Sequence, residues 1–332
     1  MQQIAVTVGQ SLEVFERNNG HWDNRSQTFP SQLETIAAHP QRPDRLFVGS
    51  FSDGLFRSTD AGENFESVGT DTISGAITHV TIDPSNPDIL LCGTEPSRLY
   101  RSADGGRTWE QVTGLTAVPS ADQWSFPPRP DTHHVRWIEI APDDPDRWYV
   151  GIEAGALVVT TDGGETWMDR PSGSRRDNHT LATHAAAPKR VYSAAGDGYA
   201  ESTDGGQTWE EALDGLDHRY VWGLAVDAVD PEIRLVSAAT SASQAHGHQH
   251  AESYLYRCRD GEPWERLTSE TLQTGPGIQR AVLANGGSKG SFIGATNQGV
   301  FVSGDAGDSW ERISEPCESS EENRGPRAIA VV

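Results

Sequence analysis

The side chains in this sequence best suited to chemistry are its imidazoles, and they are unevenly spread. His133, His134, His179 and His218 stand at or just before apolar segments that follow long irregular connections, with Arg136, Arg219, Tyr220 and Trp222 beside them. Glu153 and Asp197 occupy nearby turns. An imidazole titrates near neutrality, so His134 or His179 suits a general acid or base, with Glu153 as carboxylate partner and Arg219 to neutralise charge developing on a substrate. Arg136 and Arg219 suit a ligand carboxylate, and His133, His218, Tyr220 and Trp222 would complete the walls around an anionic or sugar-like molecule. A second group, His246-x-His248-x-His250, lies in a Gly/Ser/Ala-rich stretch. On extended backbone, alternate side chains share a face, so these imidazoles would meet one divalent metal ion, zinc or copper. The competing reading leaves them in solvent. His39 and His184 fall inside predicted strands and His21 in a turn, where structural roles are expected.

Bulk composition narrows the function classes. The 332 residues carry 48 acidic and 26 basic side chains, a formal charge of −22, and only two of the basic residues are lysines, Lys189 and Lys289. Such a surface repels phosphate backbones, which argues against nucleic-acid partners. Acidic, lysine-poor chains suit a cytoplasm of high salt, where self-repulsion is screened, so a halophilic source is expected. Three cysteines (Cys92, Cys258, Cys317) are odd in number and have no metal-ligand spacing, as expected of a reducing, cytoplasmic compartment. No apolar window approaches membrane-spanning length, so no membrane insertion is expected. The acidic stretch 315–322 reads as a solvated loop.

What positions these residues is a repeat. Five segments share one pattern: STDAGENF (58–65), SADGGRTW (102–109), TTDGGETW (160–167), STDGGQTW (202–209) and SGDAGDSW (303–310). CRDGEPW (258–264) and ERNNGHW (16–22) are degenerate copies. Asp60, Asp104, Asp162, Asp204 and Asp305 suit a turn in which the carboxylate accepts backbone N–H groups, so they read as structural residues rather than catalytic acids. The terminal aromatics begin a further strand and bury a large area. The pattern resembles the Asp-box, or BNR, repeat of sialidase-like proteins.

Each box sits at the end of a longer unit. ETIAAHPQRPDRLFVGSFSDGLFRS, HVTIDPSNPDILLCGTEPSRLYRS and VRWIEIAPDDPDRWYVGIEAGALVVT each contain strand, Pro/Asp turn, strand and a third strand running into the box. With the strand after the aromatic, each unit has four strands, the size and content of a propeller blade. The first strands of these units should begin near Glu34, Ile77, His134, Thr180, Tyr220 and Gln279. The N-terminal strands lack a partner of this kind and RAIAVV (327–332) lacks a blade. Pairing them closes the ring and removes two exposed edges. The expected fold is therefore all-β, a single seven-bladed propeller across residues 1–332, with the boxes on one face and the long connections, including Thr240–Glu252, on the other.

The resemblance covers nearly the whole sequence but spans several activities. In Asp-box enzymes the active site lies on the face opposite the boxes, which points to the His/Arg-rich end. Sialidases carry an Arg-Ile-Pro motif that is missing here, so a classical sialidase is not implied. Xyloglucan-degrading glycosidases pair two propellers, whereas this sequence forms one. Photosystem II assembly factors are similar in size, blade number and box pattern, and act as scaffolds. Two classes stay open: a pocket that binds, and hydrolyses or eliminates from, a small anionic or carbohydrate-like ligand, or a non-catalytic platform for a protein partner.

Overall fold

The computed structural model describes residues 3–247, 249–316 and 325–332. Among them the strands form seven antiparallel sheets, each running outward from an inner strand. The inner strands are Pro326–Val331, Leu33–His39, Ala76–Asp83, Val135–Ala141, Asn178–Thr183, Tyr220–Val226 and Val282–Asn285, and they define blades 1 to 7 in that order. Each inner strand contacts the next, and that of blade 7 contacts that of blade 1. The chain is a seven-bladed β-propeller. The expected strand starts agree to within a few residues.

Ring closure follows the sequence expectation. Pro326–Val331 pairs with Gln3–Val8 in the register Ala5↔Ala330, Val6↔Ile329 and Thr7↔Ala328. Gln3 and Val332 exchange both backbone hydrogen bonds, at 2.7 and 2.9 Å. Ile4, Val6 and Phe15 of this composite blade pack against Ile293, Ala295 and Val300 of blade 7. Between other blades the apolar contacts are of the same kind: Leu91 and Leu99 meet Val135, Ile138 and Trp148.

The box carboxylates are turn hubs. Asp104 Oδ1 accepts the backbone N–H groups of Arg107 (3.0 Å) and Thr108 (2.9 Å), while its Oδ2 accepts the Thr108 hydroxyl at 2.7 Å. Asp60, Asp162, Asp204 and Asp305 repeat the arrangement with the residue four positions on. Hydrogen bonds from that residue's side chain and backbone hold the carboxyls of Asp60, Asp104, Asp162 and Asp204 at about 2. These groups are saturated with donors, as expected of structural residues.

Glycine sets how closely blades approach. In the box of blade 5, Gly206 has φ +87°, and a Cβ there would lie 2.5 Å from the Tyr149 ring of blade 4. Deeper in, a Cβ on Gly49, Gly93 or Gly151, all in second strands, would meet Ile77, Val135 or Asn178 of the following inner strand at 2.5, 2.4 and 2.8 Å. Blade spacing at the hub therefore relies on missing side chains.

Candidate functional site

The inner strands share an irregularity at one end. Pairing skips one residue between Leu33 and Thr35, Ile77 and His79, Val135 and Trp137, Asn178 and Thr180, and Val221 and Gly223. In blade 1 it skips between Ala328 and Pro326. The skipped residues are Glu34, Thr78, Arg136, His179, Trp222 and Arg327. Arg280, two residues before Val282–Asn285, is the corresponding residue of blade 7. A bulge releases a residue from the ladder and re-aims its side chain, so each blade contributes one unpaired residue to the mouth of the axial channel.

These residues touch from blade to blade through hydrogen bonds, ion pairs and ring contacts. Thr78 Oγ1 donates to Val135 O (2.6 Å), and Arg280 Nη1 donates to Pro326 O (3.0 Å). His179 Nδ1 lies 2.7 Å from Val221 O. Because a carbonyl only accepts, Nδ1 of His179 carries a proton. The guanidinium groups of Arg136 and Arg280 lie 4.7 and 4.4 Å from the centre of the Trp222 ring. Arg327 lies 3.5 Å from Glu34. Burial, reinforced by the charges of Arg327 and Arg136, pushes the Arg280 guanidinium well below its ordinary range. Below the mouth, a cavity of about 210 Å³ is lined by Glu34, Arg136, Arg327, His79 and Glu139 among others.

Carboxylates and imidazoles from blades 3, 4 and 5 flank this ring. His134 Nε2 lies 2.9 Å from Glu153 Oε2, and its Nδ1 is 3.5 Å from Glu95 Oε2. Arg129 grips Glu95 from outside, with Nε 2.7 Å from Oε1. Both nitrogens of His134 thus face carboxylates, which makes it a positioning residue for Glu153. Burial opposes ionisation of Glu153, but the His134 hydrogen bond and the charges of His134, His179 and Arg136 outweigh it and hold the carboxyl well below the usual range. Asp177 Oδ2 approaches His179 Nε2 at 3.7 Å. Its Oδ1 accepts the Ala154 N–H at 2.8 Å.

The structure brings together His134, Glu153, Arg136, His179, Tyr220 and Trp222, as the sequence suggested, and leaves other candidates elsewhere. Arg219 is exposed and lines a shallow surface depression with Leu213, Asp214 and Asp217, away from the residues it was expected to join. The connection before blade 6 carries it outward, and Arg136, Arg280 and Arg327 supply the guanidinium groups at the mouth. His218 stacks on Tyr254 (4.3 Å) and bonds to Tyr256 Oη. His133 packs edge-on against Trp124 at 5.4 Å.

The histidine insertion also departs from expectation. His246 ends a short helix, Ala242–His246, instead of lying on extended backbone. Its Nδ1 accepts from Arg280 Nε at 3.1 Å, and its Nε2 lies 3.2 Å from Tyr220 Oη. With both nitrogens engaged, His246 is a wall residue and has no lone pair free for a metal. Burial, then the Arg280 charge, pushes it well below the ordinary imidazole range. His250 is exposed. His248, Cys317 and most of the acidic stretch lie outside the described residues. Glu34, Asp177, Arg280 and Arg327 were missed by sequence reasoning. The signal lay in aligning LETIA, VRWIE, NHTLA, QRAVL and PRAIA, where the second column is the mouth.

The fold is a seven-bladed propeller in which one Asp-centred turn recurs from blade to blade. The family profile described as BNR/Asp-box repeat matches residues 200–211, the box of blade 5. No curated protein matches the sequence. Among solved structures, the chain is similar to the GH74 xyloglucanase from Xanthomonas campestris (TM-score 0.68, 17% identity, 94% of this chain and 52% of that one). It is also similar to an ancestral GH74 enzyme (TM-score 0.66, 16% identity), covering 87% of this chain and 39% of that one. The chain thus spans about half or less of these enzymes. YCF48 bound to D1 peptide matches over 90% of this chain and 92% of its own (TM-score 0.60, 14% identity). Among the described residues no helix is long and apolar enough to cross a membrane.

Proposed function

We propose that the axial mouth binds a small anionic or sugar-like ligand, such as a uronic acid. The observation that carries this reading is the arrival of three guanidinium groups, Arg136, Arg280 and Arg327, at one end of the channel from three different blades, with the Trp222 ring against two of them. Arginine pairs carboxylates in two-pronged fashion, and an aromatic face suits a sugar ring. The Nε atom of Arg327 is buried without a hydrogen-bond partner, and that of Arg136 has only Glu153 Oε2 at 3.5 Å. Any hydrolysis or elimination at a bound ligand would fall to Glu153, Asp177 and His179. His179 Nε2 is buried and unpartnered.

The similarity to glycoside hydrolases supports this reading at the level of fold. The scaffold alternative draws on the near full-length match to YCF48. Against an apolar docking face, the large hydrophobic residues exposed among the described residues are Met168 and Val229, which belong to different blades. Thermal unfolding in the presence of galacturonic acid or neutral galactose tests the proposal. The acid should raise the midpoint and galactose should not, with the shift at least halved in Arg280→Gln relative to that variant's own ligand-free midpoint. Equal shifts with acid and neutral sugar would count against recognition of the carboxylate, and no shift with either, or equal shifts in wild type and variant, against the pocket.

A further inference from the structure

We infer that Glu153, Asp177 and His179 form a binding site for a divalent transition-metal cation between blades 4 and 5, beside the axial mouth. The three offer one ligand atom each, all within 4.8 Å of one another. Two oxygens and one imidazole nitrogen, with two negative charges, suit Mn²⁺, Fe²⁺ or Zn²⁺ rather than a soft monovalent ion.

The independent observation is the state of His179. Its side chain is completely buried, and Nε2 has no hydrogen-bond partner while pointing at Asp177 Oδ2, 3.7 Å away. Nδ1 donates to the Val221 carbonyl, so Nε2 is the ring nitrogen turned towards the carboxylates and the one that would give up any proton to a metal. Metal-bound histidines have this arrangement, the second ring nitrogen donating to a carbonyl or carboxylate that orients the ring. A buried ring nitrogen left without a hydrogen-bond partner, 3.7 Å from the Asp177 carboxylate, is otherwise unfavourable.

The carboxylates are prepared in the same way. Glu153 is held by His134 through Oε2, which leaves its other oxygen for coordination. Asp177 is fixed through Oδ1 by the Ala154 N–H and through its own N–H by Asp197 Oδ1 at 3.2 Å. Asp177 is also the partly exposed member, with 29% of its side chain accessible, and offers the entry path. The site does not use the histidines of the 240–252 insertion. It stands apart from the anionic-ligand proposal, because metal binding is measured with no organic ligand present.

The experiment is isothermal titration of full-length protein, freed of metal by chelator dialysis, with MnCl₂ and with ZnCl₂ alone, in parallel with equilibrium dialysis and metal analysis. One equivalent of at least one metal is expected. Asp177→Asn keeps the Ala154 contact and His179→Gln keeps the volume, and each should weaken binding by at least about 100-fold, the scale on which even outer partners of metal ligands act. His250→Ala should bind as wild type. Circular dichroism identifies any variant that fails to fold, and the other then decides. Failure of the wild type to bind either metal, wild-type affinity in a folded Asp177→Asn or His179→Gln protein, or loss of binding in His250→Ala would each overturn the inference.

Discussion

Removing residues 326–332 deletes the inner strand of blade 1 while leaving every Asp box in place. Five positions pair with Gln3–Val8, and about 1 kcal/mol of net stabilisation per ladder hydrogen bond gives about 5 kcal/mol. The deletion also uncovers Ile4 and Val6, both completely buried, so this figure is a lower bound. A folded protein has only about 5–15 kcal/mol in total, so the truncated ring should sit near its unfolding threshold at room temperature. Urea unfolding followed by tryptophan fluorescence reads this directly, since the chain has 10 tryptophans. The truncated protein should unfold at a much lower urea midpoint, and a peptide of sequence PRAIAVV added in trans should restore part of the loss. Arg327→Gln, which keeps the strand and removes only the guanidinium group, should cost far less. An unchanged midpoint and slope after truncation would refute the argument that this strand seals the ring.

Glu139 supplies a test in pH. Burial, against hydrogen bonds from Thr183 and Trp137, pushes its carboxyl from 4.5 up to about 7. The folded state therefore keeps a proton that the unfolded chain has lost, and stability falls as pH rises from about 4.5 through 7. Glu139→Gln should leave stability near pH 4 unchanged and raise it near pH 8 by at most about 3 kcal/mol, measured by urea unfolding at both values. Gly206→Ala meets both a positive φ and the Tyr149 ring, and should cost roughly 2–3 kcal/mol. At Gly20 the φ is also positive (+86°) but the space is open, so Gly20→Ala should cost only about 1 kcal/mol, and equal losses at the two sites would discount the contact. Asp204→Ala removes the acceptor for four donors in an exposed turn and should lower stability by about 1 kcal/mol without changing ligand or metal binding.

Blade number and closure were readable from the sequence because turn chemistry repeats: a Ser/Thr, an Asp and a Gly at fixed offsets can do little else than close a tight turn. The mouth was only partly readable. Local proximity along the chain grouped Arg219 with His218 and Tyr220, yet the bulge at the strand entrance, invisible to a period-two reading, decides which side chain turns to the axis. Arg280 reaches His246 from the neighbouring blade, 34 residues on, and Arg327 joins the mouth only through ring closure. In the insertion, Ala242, Gln244 and Ala245 favour a helical turn, and that preference outweighed the alternating His-x-His pattern that suggested a strand.

Gly151 gives the proposed metal site its dimensions. It lies two residues before Glu153, and the Asn178 side chain that fills its missing Cβ position stands between Asp177 and His179 in sequence. A methyl group there would wedge blades 4 and 5 apart and carry the two halves of the ligand set away from each other. The gap across which a cation would be shared is thus gauged by a hydrogen atom on the second strand of blade 4, and drift at that residue would retune affinity without touching any ligand.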